Sequence, residues 1–383
     1  MDAKLTGLGT WIDAPSLSAG AALVGRLAEA GSLPDIDLRP SGLRVRQPRG
    51  DRASGDRIGG DQAVSRPGSD PAALQELRIV FDAVDTAAVQ EFWGTAFGYR
   101  VTGGGRLVDP LHRGPDVIVL PTDEVRPLRN RFHVDVVRPS AVVEAVRGDR
   151  EPAGPWGVML ADSEGNEVDL VPGDALAPTA TDWQTLFAAM TFYRTSSAAQ
   201  AVQLVTAVAQ LADAAGIPLM LDIRAGGVII DHGKDKWEEA GEAFVDLATR
   251  IQGAARDLGL AANTDELRFV QLGLDAVDVP AVQAFWTTAL GYTRDPRFEV
   301  GDSYDPLGLN PGFIFQHLDP TESERREQRN RIRLELDIAP DQLPQRIEQA
   351  VQAGGTIRNE LPDRCSLTDP EGNELDLIAR KPL

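Results

Sequence analysis

Cysteine is almost absent from this sequence, since Cys365 is the only one among 383 residues. One thiol can form neither an intramolecular disulfide nor a thiolate cluster for a metal. No segment reaches the roughly 18 consecutive apolar residues that a membrane helix needs, and the first residues do not show the basic and then apolar pattern of a secretory signal. We therefore expect a soluble, cytoplasmic protein that has no membrane partner.

Positive charge is also scarce relative to negative charge. The chain contains 38 lysine and arginine residues against 58 aspartate and glutamate residues, which gives a formal net charge of -20. The resulting negative field repels nucleic-acid phosphates, so nucleic acid is not an expected partner. Apolar residues make up 42% of the chain, enough for buried cores, and at about 150 residues per domain the length predicts two to four domains.

A long segment occurs twice in the sequence and is named here the larger repeat. The stretch DAVDTAAVQEFWGTAFGY at residues 82–99 returns as DAVDVPAVQAFWTTALGY at residues 275–292. The blocks keep their order and nearly constant spacing, which predicts two domains, 75–173 and 265–383. Two further pairs of blocks match: RNRFHVDVV (129–137) with RNRIRLELD (329–337), and DSEGNEVDLV (162–171) with DPEGNELDLI (369–378).

A smaller repeat precedes each copy of the larger one. Residues 21–46 match residues 207–231, because both contain a helical stretch, a turn with a proline and a strand of alternating apolar residues. After the second copy, residues 237–258 have the apolar spacing of a long amphipathic helix. After the first copy, residues 47–70 are rich in Gly, Pro, Ser and charge, which predicts a flexible loop. The two predicted domains are 1–60, which is eroded, and 182–260.

The local patterns of the larger repeat predict a strand followed by a helix. In LRIVFDA (77–83) apolar and polar residues alternate as in a strand with one buried face. Asp85 is placed to cap the helix that follows, and Trp93 lies on the apolar stripe of that helix, as Trp286 does in the second copy. We therefore predict that both tryptophans are core residues rather than ligand contacts.

The FW…GY helix, the NR.H.D strand and the D.EGNE..L hairpin resemble the glyoxalase-like branch of the vicinal oxygen chelate superfamily, which includes bleomycin-resistance-like proteins. The resemblance covers about residues 77–173 and 267–380. It implies an α+β fold of tandem glyoxalase-like domains that are built from paired βαβββ modules. The superfamily includes metal-dependent isomerases and dioxygenases as well as metal-free drug-binding proteins, so the fold alone does not select a function.

The smaller repeat resembles the pterin carbinolamine dehydratases over about residues 183–260 and, in part, 15–50. That resemblance implies α+β domains with helices on an antiparallel sheet. The family carries a His-His-Pro turn, whereas the turns here read GIP (216–218) and SLP (32–34). Only His232 falls on a family histidine, and dehydration needs a titratable group near each reacting proton. We therefore predict that the smaller repeat serves packing or dimerisation, with His232 as a polar residue at a strand end.

The resemblance implies metal-ligand positions on the first and last strand of each module. In the first copy only His133 and Asp169 are donors, and in the second copy Asp376 is the one good ligand. Arg333 stands where the first copy has His133, and it cannot bind a cation because arginine keeps its proton. We therefore predict no metal and no cofactor. The implied positions are Arg78, Leu120, His133 and Asp169 in the first copy, and Gln271, Gln316, Arg333 and Asp376 in the second.

Charge pairing offers a metal-free explanation for the arginines at these positions. A guanidinium at Arg333 supplies the positive charge that a metal would set beside Asp376, and we predict that Arg78 does the same for Asp169. His133 near a carboxylate is either a general base that titrates near neutral pH or a cleft histidine with a structural role, and both alternatives stay open.

Three functions follow from the sequence. The first is metal-independent binding of an aromatic or natural-product small molecule. The second is a metal-independent isomerase or lyase, and whether the chain is an enzyme stays open. The third is a pterin-linked or structural role of the smaller repeat, with a homodimer as an expected assembly. The predicted catalytic residues are His133, Asp169 and Arg78, and the predicted substrate-binding residues are Asp135, Gln271, Gln316, Arg333, Glu335 and Asp376.

Overall fold

The computed structural model describes residues 9–29, 33–46, 74–297 and 301–380. The loop predicted over residues 47–70 lies outside the described residues. The described strands form two sheets, one of 14 strands and one of eight, here named the long sheet and the short sheet. Helices pack on both, which confirms a mixed α+β fold. None of the described helices is long and apolar enough to cross a membrane.

The N-terminal half of the chain contains the first copy of each repeat. The first copy of the smaller repeat consists of β1 (Thr10–Asp13), α1 (Leu17–Glu29), β2 (Asp35–Arg39) and β3 (Gly42–Arg46). The first module of the larger repeat consists of β4 (Glu76–Ala83), α2 (Thr86–Phe97), β5 (Arg100–Thr102), β6 (Arg106–Val108) and β7 (Asp116–Pro121). The second module consists of β8 (Phe132–Pro139), α3 (Ser140–Arg147), β9 (Met159–Ala161) and β10 (Glu167–Ala175).

The C-terminal half follows the same plan. The second copy of the smaller repeat consists of β11 (Gln184–Leu186), β12 (Ala188–Arg194), α4 (Ala198–Ala215), β13 (Met220–Arg224), β14 (Gly227–Lys234), α5 (Lys236–Ala240) and α6 (Glu242–Asp257). The third module consists of β15 (Phe269–Ala276), α7 (Val279–Ala289), β16 (Thr293–Arg294), β17 (Ser303–Tyr304) and β18 (Gly312–His317). After α8 (Ser323–Glu327), the fourth module consists of β19 (Ile332–Ile338), α9 (Leu343–Gln352), β20 (Thr356–Leu361), β21 (Arg364–Thr368) and β22 (Glu374–Ala379).

The two copies of the smaller repeat together build one end of the long sheet. Strand β2 pairs antiparallel with β13, which sets Leu38 opposite Leu221, and α1, α4 and α6 bury their apolar residues in one shared core. The amphipathic helix predicted over residues 237–258 is present but broken. Gly241 has a φ of 54°, a left-handed conformation that glycine adopts without strain, and it separates α5 from α6.

The four modules of the larger repeat pair across the copies. Strand β4 of the first copy pairs antiparallel with β19 of the second in the short sheet. Strand β8 of the first copy pairs antiparallel with β15 of the second in the long sheet. Sequence reasoning grouped the two modules of one copy around one site, and that grouping is wrong. Each sheet instead combines one module from each copy, so each site takes residues from both halves of the chain.

Tryptophan side chains fix the helices of the larger repeat in the core. Trp93 and Trp286 are fully buried, as predicted. The indole N–H of Trp93 donates to Asp162, and that of Trp286 donates to Asp369, both at 2.9 Å. These carboxylates belong to the two EGNE turns, so each hydrogen bond joins a helix on one sheet to a turn at the end of the other. The predicted cap is also present, because Asp85 accepts from the backbone N–H of Ala88.

The repeated RNR motif lies where the two sheets meet. Asn130 accepts a hydrogen bond from the backbone N–H of Arg331 at 2.9 Å, and Asn330 accepts one from the backbone N–H of Arg131 at 3.0 Å. Because each asparagine serves the other copy, the pair is reciprocal. The motif therefore joins the ends of β8 and β19, which lie in different sheets.

A chain restricted to residues 261–383 is expected to be much less stable than the whole protein. Without the first copy, β15 loses β8 and β19 loses β4, and buried residues such as Leu272 and Leu334 become accessible to water. Circular dichroism during heating and size-exclusion chromatography measure the effect. A fragment that is monomeric and melts at the temperature of the full chain would contradict this arrangement.

Candidate functional site

The predicted site residues lie in two places, one on each sheet. The long-sheet site consists of His133, Asp135, Asp169 and Gln271, from β8, β10 and β15. The short-sheet site consists of Arg78, Arg333, Glu335 and Asp376, from β4, β19 and β22. Both sites thus combine the two copies of the larger repeat.

Four predicted residues are not where sequence reasoning grouped them. Gln271 belongs to the long sheet, away from Arg333 and Asp376 of the same copy. Arg78 and Leu120 belong to the short sheet, away from His133 and Asp169 of the same copy. Gln316 is exposed and lies opposite Asp275, four residues further along β15 than Gln271. The prediction that Arg78 pairs with Asp169 is therefore wrong.

Strand register brings the long-sheet residues together. Asp135 lies opposite Gln271 on β15 and beside Asp169 on β10. His133 is two positions before Asp135 and faces the same side of the sheet, and its Nε2 lies 3.6 Å from Asp135 Oδ1. Opposite His133 is Gly273, where a Cβ would come within 2.1 Å of the imidazole ring. Glycine is therefore required there for the imidazole to occupy its place.

Burial perturbs the carboxyl groups of this site. His133 and Asp135 are only 5% and 6% exposed. Burial raises the pKa of Asp135 to about 6, an effect that nearby His133 opposes and Asp169 reinforces. Burial also raises the pKa of Asp169. Two buried polar atoms, Asp135 Oδ1 and Gln271 Oε1, accept no hydrogen bond from any described residue, which leaves acceptors in need of a positive partner.

The donor set of the long-sheet site fits a divalent cation. His133, Asp135 and Asp169 each offer a ligand atom, and these atoms lie within 4.8 Å of one another. Gln271 adds an amide oxygen from the neighbouring strand. One imidazole, two carboxylates and one amide are ligands that divalent metals accept, and a cation would neutralise the buried carboxylates. The expectation of no metal rested on ligand sets drawn within each copy, and the exchanged modules remove that argument.

The short-sheet site has the same arrangement of strands as the long-sheet site, but arginine side chains occupy two positions at which the long-sheet site has possible metal ligands. Arg333 occupies the position of His133, and Arg78 occupies that of Gln271. Arg333 binds Asp376 at 2.8 Å, which confirms the predicted ion pair. Arg78 instead binds Asp337 at 2.5 Å and lies 3.4 Å from Glu335. Guanidinium groups have no lone pair for a metal, so this site is built for charge pairing.

A cavity of about 470 Å³ opens over the short-sheet site. Sequence reasoning missed two of its arginines, Arg358 and Arg364, which lie on the β20–β21 hairpin. The sequence does indicate these two arginines, because this hairpin is charged and is longer than the corresponding part of the first copy around β9. The charged lining residues are Arg329, Arg333, Arg358, Arg364, Asp82, Glu374 and Asp376.

A second cavity, of about 420 Å³, lies where the smaller repeat meets the first and third modules. His232 on β14 borders it, and the ring stacks on Phe244 with the centroids 4.2 Å apart. Burial, assisted by the charge of Lys236, lowers the pKa of His232 to about 4, so its imidazole is neutral at pH 7. The structural role of this stacked histidine stays a prediction.

Comparison with known proteins gives one family. The family model described as "Glyoxalase-like domain" matches residues 78–171 and 271–378, more than half of the chain. Glyoxalase I from Zea mays is 9% identical with a TM-score of 0.36, and the match covers 80% of this chain and 93% of that one. A glyoxalase/bleomycin resistance protein from Albidiferax ferrireducens T118 is 17% identical with a TM-score of 0.21, covering 28% of this chain and 94% of that one. No curated protein matches the chain.

Proposed function

The chain belongs to the family of glyoxalase-like domains, and we propose that its long-sheet site binds a divalent cation together with a small molecule that carries oxygen donors. One observation supports this most directly. His133, Asp135 and Asp169 come from two strands of the first copy, and their ligand atoms lie within 4.8 Å of one another beside Gln271 of the second copy. This arrangement revises the metal-independent binding function that the sequence favoured.

Each residue has a distinct role in this proposal. His133, Asp135, Asp169 and Gln271 would hold the cation, which when bound polarises an oxygen atom of the ligand. Asp135 is the ligand at which a proton competes with the cation, because its pKa in the metal-free site is about 6. Asp169 is only partly buried and marks the side of the site that faces solvent. A small molecule would therefore approach past Asp169.

Metal-independent proton transfer is the second candidate function. It corresponds to an isomerase or lyase in which His133 and Asp135 exchange a proton with the substrate. The observation in its favour is the 3.6 Å separation of His133 Nε2 and Asp135 Oδ1, together with the raised pKa of Asp135. In this case His133, rather than a metal, would be the partner of the buried carboxylates.

The smaller repeat is proposed to have a structural role. Its second copy supports the third module through Lys234 on β14, which binds Asp302. It supports the first module through Asp222 on β13, which Arg113 binds at 2.8 Å. The neutral, stacked state of His232 leaves no proton donor of ordinary strength at that position. These contacts favour a structural role, in which the smaller repeat holds the neighbouring modules in place, over pterin chemistry.

Replacing His133 by alanine is expected to weaken cation binding by about 100-fold or more, since one of four ligands is lost. The measurement is titration of the chelator-treated protein with Co²⁺, Ni²⁺ and Zn²⁺, followed by the cobalt absorption spectrum and by elemental analysis. Binding should also weaken below about pH 6, where Asp135 is protonated.

Gln316→Ala is the matched control for this titration. Gln316 was predicted as a ligand position but is exposed on β18, so its loss should leave cation binding unchanged. If no cation binds the wild-type protein, the metal proposal fails and the proton-transfer function replaces it. If Gln316→Ala weakens binding as strongly as His133→Ala does, the ligand assignment is wrong.

A further inference from the structure

The cavity over the short-sheet site is rich in arginine although the chain is strongly acidic. Four arginines and three carboxylates line it, whereas the whole chain has a formal net charge of -20. Its volume of about 470 Å³ is in the range of pockets that hold small organic molecules. The short-sheet site is thus a concave, cationic exception on a negatively charged protein.

A β-bulge directs one of these arginines into the cavity. The pairing of β20 with β21 shifts register between Ile357 and Asn359, so Arg358 is the extra, unpaired residue. Bulges re-aim a side chain and recur next to binding sites. Arg358 lines the cavity although β20 is an exposed edge strand. The backbone irregularity therefore adds a cation to the site.

The other arginines of the cavity have partners within the described part of the chain, whereas Arg358 has none there. Arg333 and Arg364 converge on Asp376 Oδ2 at 2.8 and 2.5 Å. Arg329 donates to both carboxylate oxygens of Glu374, at 2.7 and 2.9 Å. Among the described residues none forms an ion pair or a side-chain hydrogen bond with Arg358. Its guanidinium retains five donors for a ligand.

We propose that this cavity binds a small organic anion, whose carboxylate or phosphate group is held by Arg358 together with the free donors of Arg364. A guanidinium matches both groups through paired N–H bonds. The convergence of Arg333 and Arg364 on the carboxylate of Asp376 shows how an oxyanion is held in this cleft. The site lies on the other sheet from the proposed cation site, so each can fail without the other.

Thermal-shift titration with succinate and, separately, with inorganic phosphate tests the proposal, with sodium chloride used to keep ionic strength constant. At least one of the two anions should raise the melting temperature of the wild-type protein in a saturable manner. Arg358→Gln should weaken that response by about tenfold, because one charge-assisted interaction is lost. Arg250→Gln, which changes an exposed arginine on α6, should respond like the wild type.

The outcomes separate the two anion chemistries and the failure of the proposal. A response to succinate alone assigns a carboxylate ligand, and a response to phosphate alone assigns a phosphate ligand. The absence of any shift beyond that of sodium chloride would overturn the site. An equal response of wild type and Arg358→Gln, or an equal loss in Arg250→Gln, would overturn it as well, because the effect would then be general screening.

Discussion

Replacing Asp135 by asparagine is expected to raise the free energy of unfolding of the metal-free protein by about 3 kcal/mol at pH 7. The carboxyl group is buried beside His133 and Asp169, and burial raises its pKa from 3.8 to about 6. At pH 7 the folded protein must therefore carry a charge that its surroundings disfavour. Asparagine has nearly the same shape and no charge, so it removes this cost.

The stability difference between Asp135→Asn and the wild type depends on pH, because folding raises the pKa of Asp135. A carboxyl whose pKa is higher in the folded than in the unfolded state binds its proton more tightly when folded. The contribution of Asp135 to stability is thus present below about pH 4 and is lost as the pH rises through about 6. Urea unfolding in the presence of a chelator should show a large difference between Asp135→Asn and wild type at pH 7, and a small one at pH 4.5.

Glu335→Gln is the matched control for Asp135→Asn. Glu335 occupies the corresponding position of the short-sheet site, but it lies 3.4 Å from Arg78 and 3.3 Å from Arg333. Its removal should lower stability, because those arginines lose a partner. If Asp135→Asn is no more stable than wild type at pH 7, the buried carboxylate is not the strained group that the structure indicates.

Local features of the larger repeat could be predicted from the sequence because they depend on neighbouring residues. The cap at Asp85, the burial of Trp93 and Trp286, and the pairing of Arg333 with Asp376 all follow from helical spacing or from charge at repeated positions. Each of these features needs only the pattern of one module and its aligned counterpart.

The exchange of modules could not be predicted, because the alternatives share the same local pattern. Strand β8 can pair with β4 or with β15, since both present alternating apolar residues to the helices and polar residues to the site. The pairing of β8 is decided by long-range contacts, and the two possible partner strands have similar sequences. The wrong choice groups Arg78 with His133, and it hides that His133, Asp135 and Asp169 lie next to Gln271 of the other copy.

The position of Gln316 was missed for a related reason. Parallel pairing of β15 with β18 sets Gln271 beside Gly312 and Gly273 beside Ile314, so Ile314 rather than Gln316 lies across Gly273 from His133. A shift of two residues along β18 keeps the same face of the strand, and sequence periodicity alone cannot detect it. Register, rather than residue type, decided which amide reaches the site.

Replacing Asn330 by alanine is expected to lower the free energy of unfolding by about 2–4 kcal/mol, because two buried hydrogen bonds are lost and their partners stay buried. The carbonyl oxygen of Asn330 accepts from the backbone N–H of Arg131 at 3.0 Å, and its amide donates to Asn373 at 2.7 Å. Asn373 is fully buried. Water therefore cannot replace the lost partner without opening the junction of the two sheets.

Urea unfolding measures this loss, with Asn359→Ala as the control. Asn359 is an exposed asparagine on the edge strand β20, and its replacement should change stability by less than about 0.5 kcal/mol. Asn130→Ala should cost as much as Asn330→Ala, because Asn130 makes the reciprocal bonds to Arg331 and Asn166. A cost confined to one of the two would show that the junction is held from one side only. Equal costs would mean that the repeated RNR motif joins the exchanged modules, and that both sites depend on it for the placement of β8 and β19.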